Sequence, residues 1–287
     1  MISVSFSLQV KNELARITGD TECCHVAELA SLMRMGGTML IGAGRSIGIN
    51  FVTANAAVAR KALTLIKKGF NLQTSVVVSR QRRFKKNNSY AVKVAPSPVV
   101  SELLERLGLM QDGRLTESRD VGILRKPCCR RSYLRGAFLG GGSINRPAGE
   151  YHLELVAENR EFAQIILRLL KALRLPARIS ERKNTYIVYL KEGDAITSFL
   201  SIVGAHQALM EFENVRVVKD MRNQVNRLVN CETANLQKTV DAAVRQVAAI
   251  HLLIDSGKFD KLPRAIRQTA ELRLEHPEAT LTELVQL

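Results

Sequence analysis

Between Glu28 and Glu102 this chain has no acidic residue, although twelve lysines and arginines fall in the same stretch. A solvated surface ordinarily mixes the two signs, so a tract this one-sided points to a surface that meets a polyanion. The sequence also lacks a long apolar run. Stretches such as residues 165–167 are broken by charges like Arg168, and the N-terminus, MISVSFSLQVKNELARI, has no basic start followed by a sustained apolar segment. Neither a signal peptide nor a membrane span is expected. Five cysteines are an odd number, which argues against a fully paired disulfide framework and fits a reducing cytoplasm.

What is present is a globular composition, 46% hydrophobic and 24% charged over 287 residues, enough for one large core or two to three smaller ones. The net charge of +15 is unevenly placed. Residues 205–287 balance 11 basic against 11 acidic side chains, whereas residues 1–204 carry 31 against 16. Nucleic acid is the partner this favours over an anionic membrane surface or a simple solubility bias.

The basic part is internally repeated. Cys23-Cys24 and Gly36-Gly37-Thr38 recur as Cys128-Cys129 and Gly141-Gly142-Ser143 at an offset of 105. Ile47, Ile49, Phe51, Asn55 and Ala59 recur as Tyr151, Leu153, Leu155, Asn159 and Ala163 at 104, and Tyr90, Val92 and Gly108 as Tyr186, Val188 and Gly204 at 96. An offset that drifts by loop-sized steps while apolar positions keep matching is the mark of a duplicated folding unit. Periodicity predicts the same elements in both copies: a helix ending at the glycines (27–34 and 133–139), an alternating strand, an amphipathic helix (54–68 and 158–173), a hairpin (75–94 and 177–190) and a short helix (98–107 and 194–203). An extra strand is expected near residues 39–41 and 143–145.

Those residues carry a resemblance. YLRGAFLGGGS at 133–143 is similar to the LAGLIDADG motif of homing endonucleases, and LASLMRMGGT at 29–38 is similar to a worn copy of it. The resemblance implies two such helices side by side at a pseudo-twofold axis, with the sheets forming a saddle over the DNA major groove. It also implies a metal-binding Asp or Glu near the end of each motif, and those positions fall here on Gly36 and Gly141. Hard divalent cations need carboxylate oxygens, so no catalytic residue, metal or cofactor is expected. Residues 29–101 of the first unit hold no carboxylate to substitute.

The expected grip is on the hairpins: Arg80, Arg82, Arg83, Lys85 and Lys86 in the first, Arg178, Arg182 and Lys183 in the second. Arginine suits bidentate contact with guanine edges and phosphates, and lysine supplies point charge. The competing reading is that charged hairpin tips only prevent edge aggregation. Arg125, Lys126, Arg130 and Arg131 form a further basic cluster beside the second cysteine pair. Four thiols can form a zinc or redox site, but vicinal pairs lack the usual ligand spacing, so buried packing ahead of the paired helices is the expected role. Glu150, His152 and Glu154 alternate along one strand and are read as a solvated face.

Residues 209–287 read as helical, with patterns at 217–231 and 236–254, a helix starting at Pro263, and Thr280 with Glu283 as a capping box opening Leu281, Thr282, Glu283, Leu284 and onward. NRLVNCETANLQKT (226–239), LPRAIRQTAELRLEHPEATLTEL (262–284) and SFSLQVKNEL (5–14), together with CCRRSYLRGAFLGGGSIN (128–145), resemble the WhiA family of Gram-positive bacteria over nearly the whole chain. That resemblance implies a degenerate LAGLIDADG domain fused to a C-terminal helix-turn-helix, and a role in transcription regulation, sporulation, cell division and chromosome segregation.

The expected α+β architecture is therefore a duplicated LAGLIDADG-like domain at 1–208 (units 1–112 and 128–208, linker 113–127), then a helical linker and incomplete helix-turn-helix at 209–287, with the recognition helix expected beyond the last residue. The expected function is a non-catalytic, cytoplasmic, nucleoid-associated regulator that binds double-stranded DNA and no membrane. Whether the saddle contacts DNA or a partner such as RNA polymerase stays open. An active homing endonuclease or maturase and a protein-binding scaffold are the alternatives.

Overall fold

The computed structural model describes residues 5–19, 21–70, 72–80, 88–116 and 122–286, the side chains of Arg45, Arg80 and Leu115 excepted. The chain divides into two compact units, residues 1–216 and 217–287.

In the first unit the two copies trace the same path. The first copy runs α1 (Phe6–Arg16), α2 (Glu22–Gly36), β1 (Gly37–Ile41), β2 (Ile47–Thr53), α3 (Ala56–Phe70), β3 (Thr74–Arg80), β4 (Asn88–Val94) and α4 (Pro98–Arg106). A small hairpin, β5 (Met110–Gln111) and β6 (Arg114–Leu115), follows. The second copy runs α5 (Pro127–Gly141), β7 (Gly142–Ile144), β8 (Leu153–Ala157), α6 (Arg160–Ala172), β9 (Arg178–Arg182), β10 (Thr185–Leu190) and α7 (Gly193–Val203). Both sheets are antiparallel with equivalent strand orders, β1-β2-β4-β3 and β7-β8-β10-β9. The extra strands expected near 39–41 and 143–145 are β1 and β7.

The repeated residues turn out to be those that each copy needs for the same job. Asn55 and Asn159 are equivalent helix caps: Asn55 Oδ1 accepts from the Ala57 amide at 2.7 Å, and Asn159 Oδ1 from the Phe162 amide at 2.8 Å. Gly108 and Gly204 follow α4 and α7 at φ 65° and 94°, the left-handed conformation that closes a helix and favours glycine. Ile49, Phe51 and Val92 of the first sheet and Leu153, Leu155 and Val188 of the second are all buried on the helix-facing side.

α2 and α5 pack against each other at the centre of one continuous core, and both are buried on almost every side. They begin earlier than periodicity implied, at Glu22 and Pro127, so the cysteine pairs do not precede the helices but form part of their first turns. α1, which periodicity did not single out, buries Phe6, Val10 and Leu14. Phe6 meets Phe212 of α8 (His206–Asp255) with ring centroids 6.2 Å apart, and Glu13 accepts from the Gln207 and Ala208 amides at 2.8 and 3.0 Å, a carboxylate at the positive end of that helix.

α8 is one helix of 50 residues where two were expected, because residues 232–235 contain no glycine or proline to break it. The second unit comprises its continuation from Val217, α9 (Arg264–Glu275) and α10 (Leu281–Gln286). Ala243, Ile250, Ala270 and Leu284 are its buried apolar residues. Among the described residues no helix is long and apolar enough to cross a membrane.

Candidate nucleic-acid interface

The two central helices meet where Gly136 of α5 lies against α2: a Cβ there would overlap the Glu28 carbonyl oxygen and Ser31 Oγ, and one at Gly140 would overlap Met35 Cβ. Glycine is what lets the two backbones approach so closely. Gly36 and Gly141, the positions carried over for the metal-binding acid, close the two helices. A Cβ at Gly36 would stand 3.1 Å from Phe51 Cε2; one at Gly141 would stand 2.8 Å from the Val156 carbonyl oxygen and 2.9 Å from Met35 Sδ. The second position is thus closed by backbone to any side chain, in addition to lacking a carboxylate.

Glu28, just outside the acid-free tract, is fully buried between the helices. Its Oε1 is 3.0 Å from Lys61 Nζ on α3 and its Oε2 is 3.0 Å from Arg135 Nη2 on α5. Lys61 also donates to the Ile17 carbonyl, and Arg135 to Ser132 Oγ and the Val203 carbonyl at 3.1 and 3.3 Å. Burial pulls the Lys61 ammonium below its ordinary pKa, with Arg135 acting in the same sense, and Glu28 resists both. A buried carboxylate already neutralised by two cations is a poor site for a divalent ion, which those cations repel.

The register separates the sheet faces. In the first sheet the face away from the helices carries Thr38, Asn50, Val52, Ser75, Val77, Ser79, Ala91 and Lys93. Asn50 Nδ2 donates to Thr38 Oγ1 at 3.3 Å. In the second sheet the equivalent face carries Ser143, Glu154, Ile187, Tyr189, Ser180, Arg178 and Arg182. Arg178 and Arg182 are exposed, and Lys183 sits in the β9–β10 turn at φ 47°. Arg80 ends β3 opposite Asn88, while Arg82, Arg83, Lys85 and Lys86 lie outside the described residues.

The outer faces also hold groups that sequence reasoning passed over. Lys93, paired opposite Asn50 and Ser75, adds an exposed cation to the first face. Tyr189 stacks on His152 at 5.9 Å and takes Lys191 over its ring at 5.6 Å, offering an aromatic plane beside Arg178. Alternation alone announces both residues once the strand's inner face is known. Glu154 accepts from Ser143 Oγ at 2.9 Å and lies 3.2 Å from His152 Nε2, so its oxygens are engaged within the strand face. Of the second basic cluster, Arg125, Lys126 and Arg131 are exposed and Arg130 Nε donates to the Leu124 carbonyl at 2.7 Å.

Among the described residues, the group of potential metal ligands that converges is Cys23, Cys24, Cys128 and Cys129, whose sulfurs all lie within 4.8 Å of one another. Cys24 and Cys129 are buried, Cys23 is half-buried and Cys128 is exposed. Burial of two of the four accords with packing; the exposure of Cys128 does not.

In the second unit the capping box forms as expected. Thr280 N donates to Glu283 Oε2 at 2.7 Å, and Glu283 N donates to Thr280 Oγ1 at 3.3 Å, opening α10. Leu284 is buried, whereas Leu281 is exposed. Leu281 and Leu284 line a hollow with Ile250, Ile266 and Ala270. Buried Arg273 donates to the Ala279 and His276 carbonyls and holds the α9–α10 connection.

Comparison with known proteins accounts for all three parts. Residues 22–110 match the WhiA N-terminal LAGLIDADG-like domain, residues 130–222 the WhiA LAGLIDADG-like domain, and residues 225–287 the WhiA C-terminal HTH domain. A probable cell division protein WhiA of Desulforamulus reducens is 49% identical over 286 residues, covering 99% of this chain and 89% of that protein. One of Desulfitobacterium hafniense is 50% identical over 285 residues, again covering 99% and 89%. The crystal structure of full-length DUF199/WhiA from Thermatoga maritima superposes with a TM-score of 0.66 at 25% identity, covering 99% of this chain and 91% of that one. With a repeated helix-and-sheet unit whose motif helices end in glycine, followed by a helical module of the matching type, this chain belongs to the WhiA family.

Proposed function

We propose that this protein is a transcription regulator that holds double-stranded DNA without cutting it and acts in cell division, with sporulation and chromosome segregation as the wider setting. The observation that carries the reading is the pair Gly36 and Gly141: both carried-over acid positions lack a ligand, and the second is closed by the Val156 carbonyl. What remains is a strongly basic scaffold with exposed arginines on a sheet face and a C-terminal module of the HTH type. Relatives at 49% and 50% identity are named probable cell division proteins, which supports the cellular role.

In this mechanism Arg178, Arg182 and Lys183, with Arg80, Arg82, Arg83, Lys85 and Lys86 of the first hairpin, neutralise backbone phosphates, and the arginines also reach base edges. Tyr189 packs against sugar or base. The module opened by Thr280, Leu281, Thr282, Glu283 and Leu284 supplies sequence reading, and RNA polymerase or another regulator is the protein partner. No step involves a cofactor. The setting is the nucleoid in the cytoplasm.

The test is titration of duplex DNA by fluorescence anisotropy at rising salt, beside incubation of supercoiled plasmid with Mg2+ or Mn2+. Engagement of about six phosphates gives a log–log slope near −5. Nicking that disappears on chelation overturns the non-cutting part. Binding that ignores salt overturns the DNA-gripping part.

A further inference from the structure

The duplication sets the first turns of α2 and α5 side by side, and with them two cysteine pairs that are more than a hundred residues apart in the chain. Four sulfurs lie within 4.8 Å of one another. A closed structural zinc site uses four thiolates at about 2.3 Å from the metal, which places its sulfurs roughly 3.8 Å apart. The cluster reaches that geometry by a contraction of at most about 1 Å in any S–S separation, within the range of side-chain rotation at a helix end. Two of the sulfurs already approach closely, with Cys128 Sγ 4.0 Å from Cys129 Sγ. A disulfide uses sulfurs in twos, whereas four mutually adjacent sulfurs form the corners of a coordination polyhedron.

The surroundings suit a doubly negative tetrathiolate. Both pairs sit at helix N-termini, where the helix dipole favours anions. Arg125 and Lys126 line the same cleft as Cys23 and Cys129, beside Glu22 and Arg106, which pair with each other at 2.6 Å. Thr21 Oγ1 lies 3.2 Å from Cys23 Sγ and donates at 3.2 Å to Cys24 Sγ, the kind of outer hydrogen bond that orients metal ligands.

We propose that Cys23, Cys24, Cys128 and Cys129 form a zinc site that ties the two duplicated copies together at the head of their central helix pair. The four thiols lose their protons to solvent as the soft divalent ion binds, and Cys231 takes no part. The site acts as a staple between the copies and makes the scaffold sensitive to thiol oxidation without any contribution to hydrolysis.

The full chain, purified without chelators under reducing conditions, is expected to hold one zinc per molecule by elemental analysis. Replacement by Co2+ is expected to give the intense visible absorption of a tetrahedral tetrathiolate. Cys128→Ser removes an exposed ligand without opening the core. It should weaken zinc binding about 100-fold or more in chelator competition, while Cys231→Ser leaves it unchanged. The Co2+ spectrum of the unaltered chain stands independently of how the variant folds. Protein in which all five thiols titrate but which takes up neither zinc nor Co2+ overturns the proposal. So does an α2–α5 disulfide found by mass spectrometry in protein isolated and kept reduced, since that identifies a redox pair instead.

Discussion

Arg135 on α5 donates to Glu28 on α2 at 3.0 Å, a fully buried bond across the central helix pair, and Lys61 approaches the other oxygen of the same carboxylate at 3.0 Å. The only charge pairing at the heart of the scaffold is therefore two cations on one anion, among the described residues. Removing the anion leaves both cations buried and facing each other. Glu28→Ala is expected to cost about 3–5 kcal/mol, the range for breaking a buried ion pair, whereas replacing Glu28, Lys61 and Arg135 together by apolar residues of similar volume should cost much less. Urea unfolding of the two variants checks this, and equal losses would show that the charges themselves are not the source.

The glycines of the central pair should rank by what a Cβ meets. Gly136→Ala drives a methyl into the Glu28 carbonyl and Ser31 Oγ and should destabilise by about 3 kcal/mol. Gly36→Ala presses on the edge of the buried Phe51 ring at 3.1 Å and should cost less than Gly136→Ala. Gly141→Asp, which restores a carboxylate in name, should lower the melting temperature and confer no plasmid cleavage, because the Val156 carbonyl and Met35 occupy its place. A stable, cleaving Gly141→Asp variant would contradict the steric account.

Charge reversal on the second sheet reports on DNA directly. Arg178→Glu with Arg182→Glu alters two exposed side chains on β9 and should leave the fold intact. Loss of two phosphate contacts should make the log–log salt slope shallower by about 2. Reversal of Arg82, Arg83, Lys85 and Lys86 should shift it further. Unchanged affinity in both variants would move the DNA to another face or favour a protein-binding scaffold.

α10 offers a pH-dependent observable. The Thr280 backbone and hydroxyl hydrogen bonds hold the Glu283 carboxyl below its ordinary value of 4.5. Its folded pKa is depressed, so its contribution is fully present above pH 4.5 and is lost as pH falls through the lowered value. The protection of the Leu281–Gln286 amides relative to their intrinsic exchange rates should fall over that acid window, and Glu283→Ala should remove this pH dependence. A pH profile that persists in the variant would assign it to another group.

Much of the architecture is legible in the sequence. Matching residues at offsets of 105, 104 and 96 announce the duplication, and several matches have a local physical cause: Asn55 and Asn159 cap helices, Gly108 and Gly204 reverse the chain, Phe51 and Leu155 fill the core. What escaped was non-local. α1 has only three buried residues, and the value of Glu13 at residue 207 depends on a helix end almost two hundred positions away. Periodicity places the starts of α2 and α5 five and six residues late because their first turns carry cysteines and charges in place of a regular apolar stripe. The partition of cations between sheet faces needed the strand register, since a shift of one residue exchanges the faces.

By itself the sequence determined that the chain is duplicated, basic over its repeated part, and without a carboxylate at either motif end, because these are properties of residue identity and spacing. The tertiary structure decided that Gly141 is closed by a neighbouring strand, that Glu28 is consumed by two cations, and that four cysteines meet at one point. The first depends on β8 passing the end of α5, and the other two on the close approach of two helices more than a hundred residues apart in sequence. Packing sets that distance, and chain order carries no record of it.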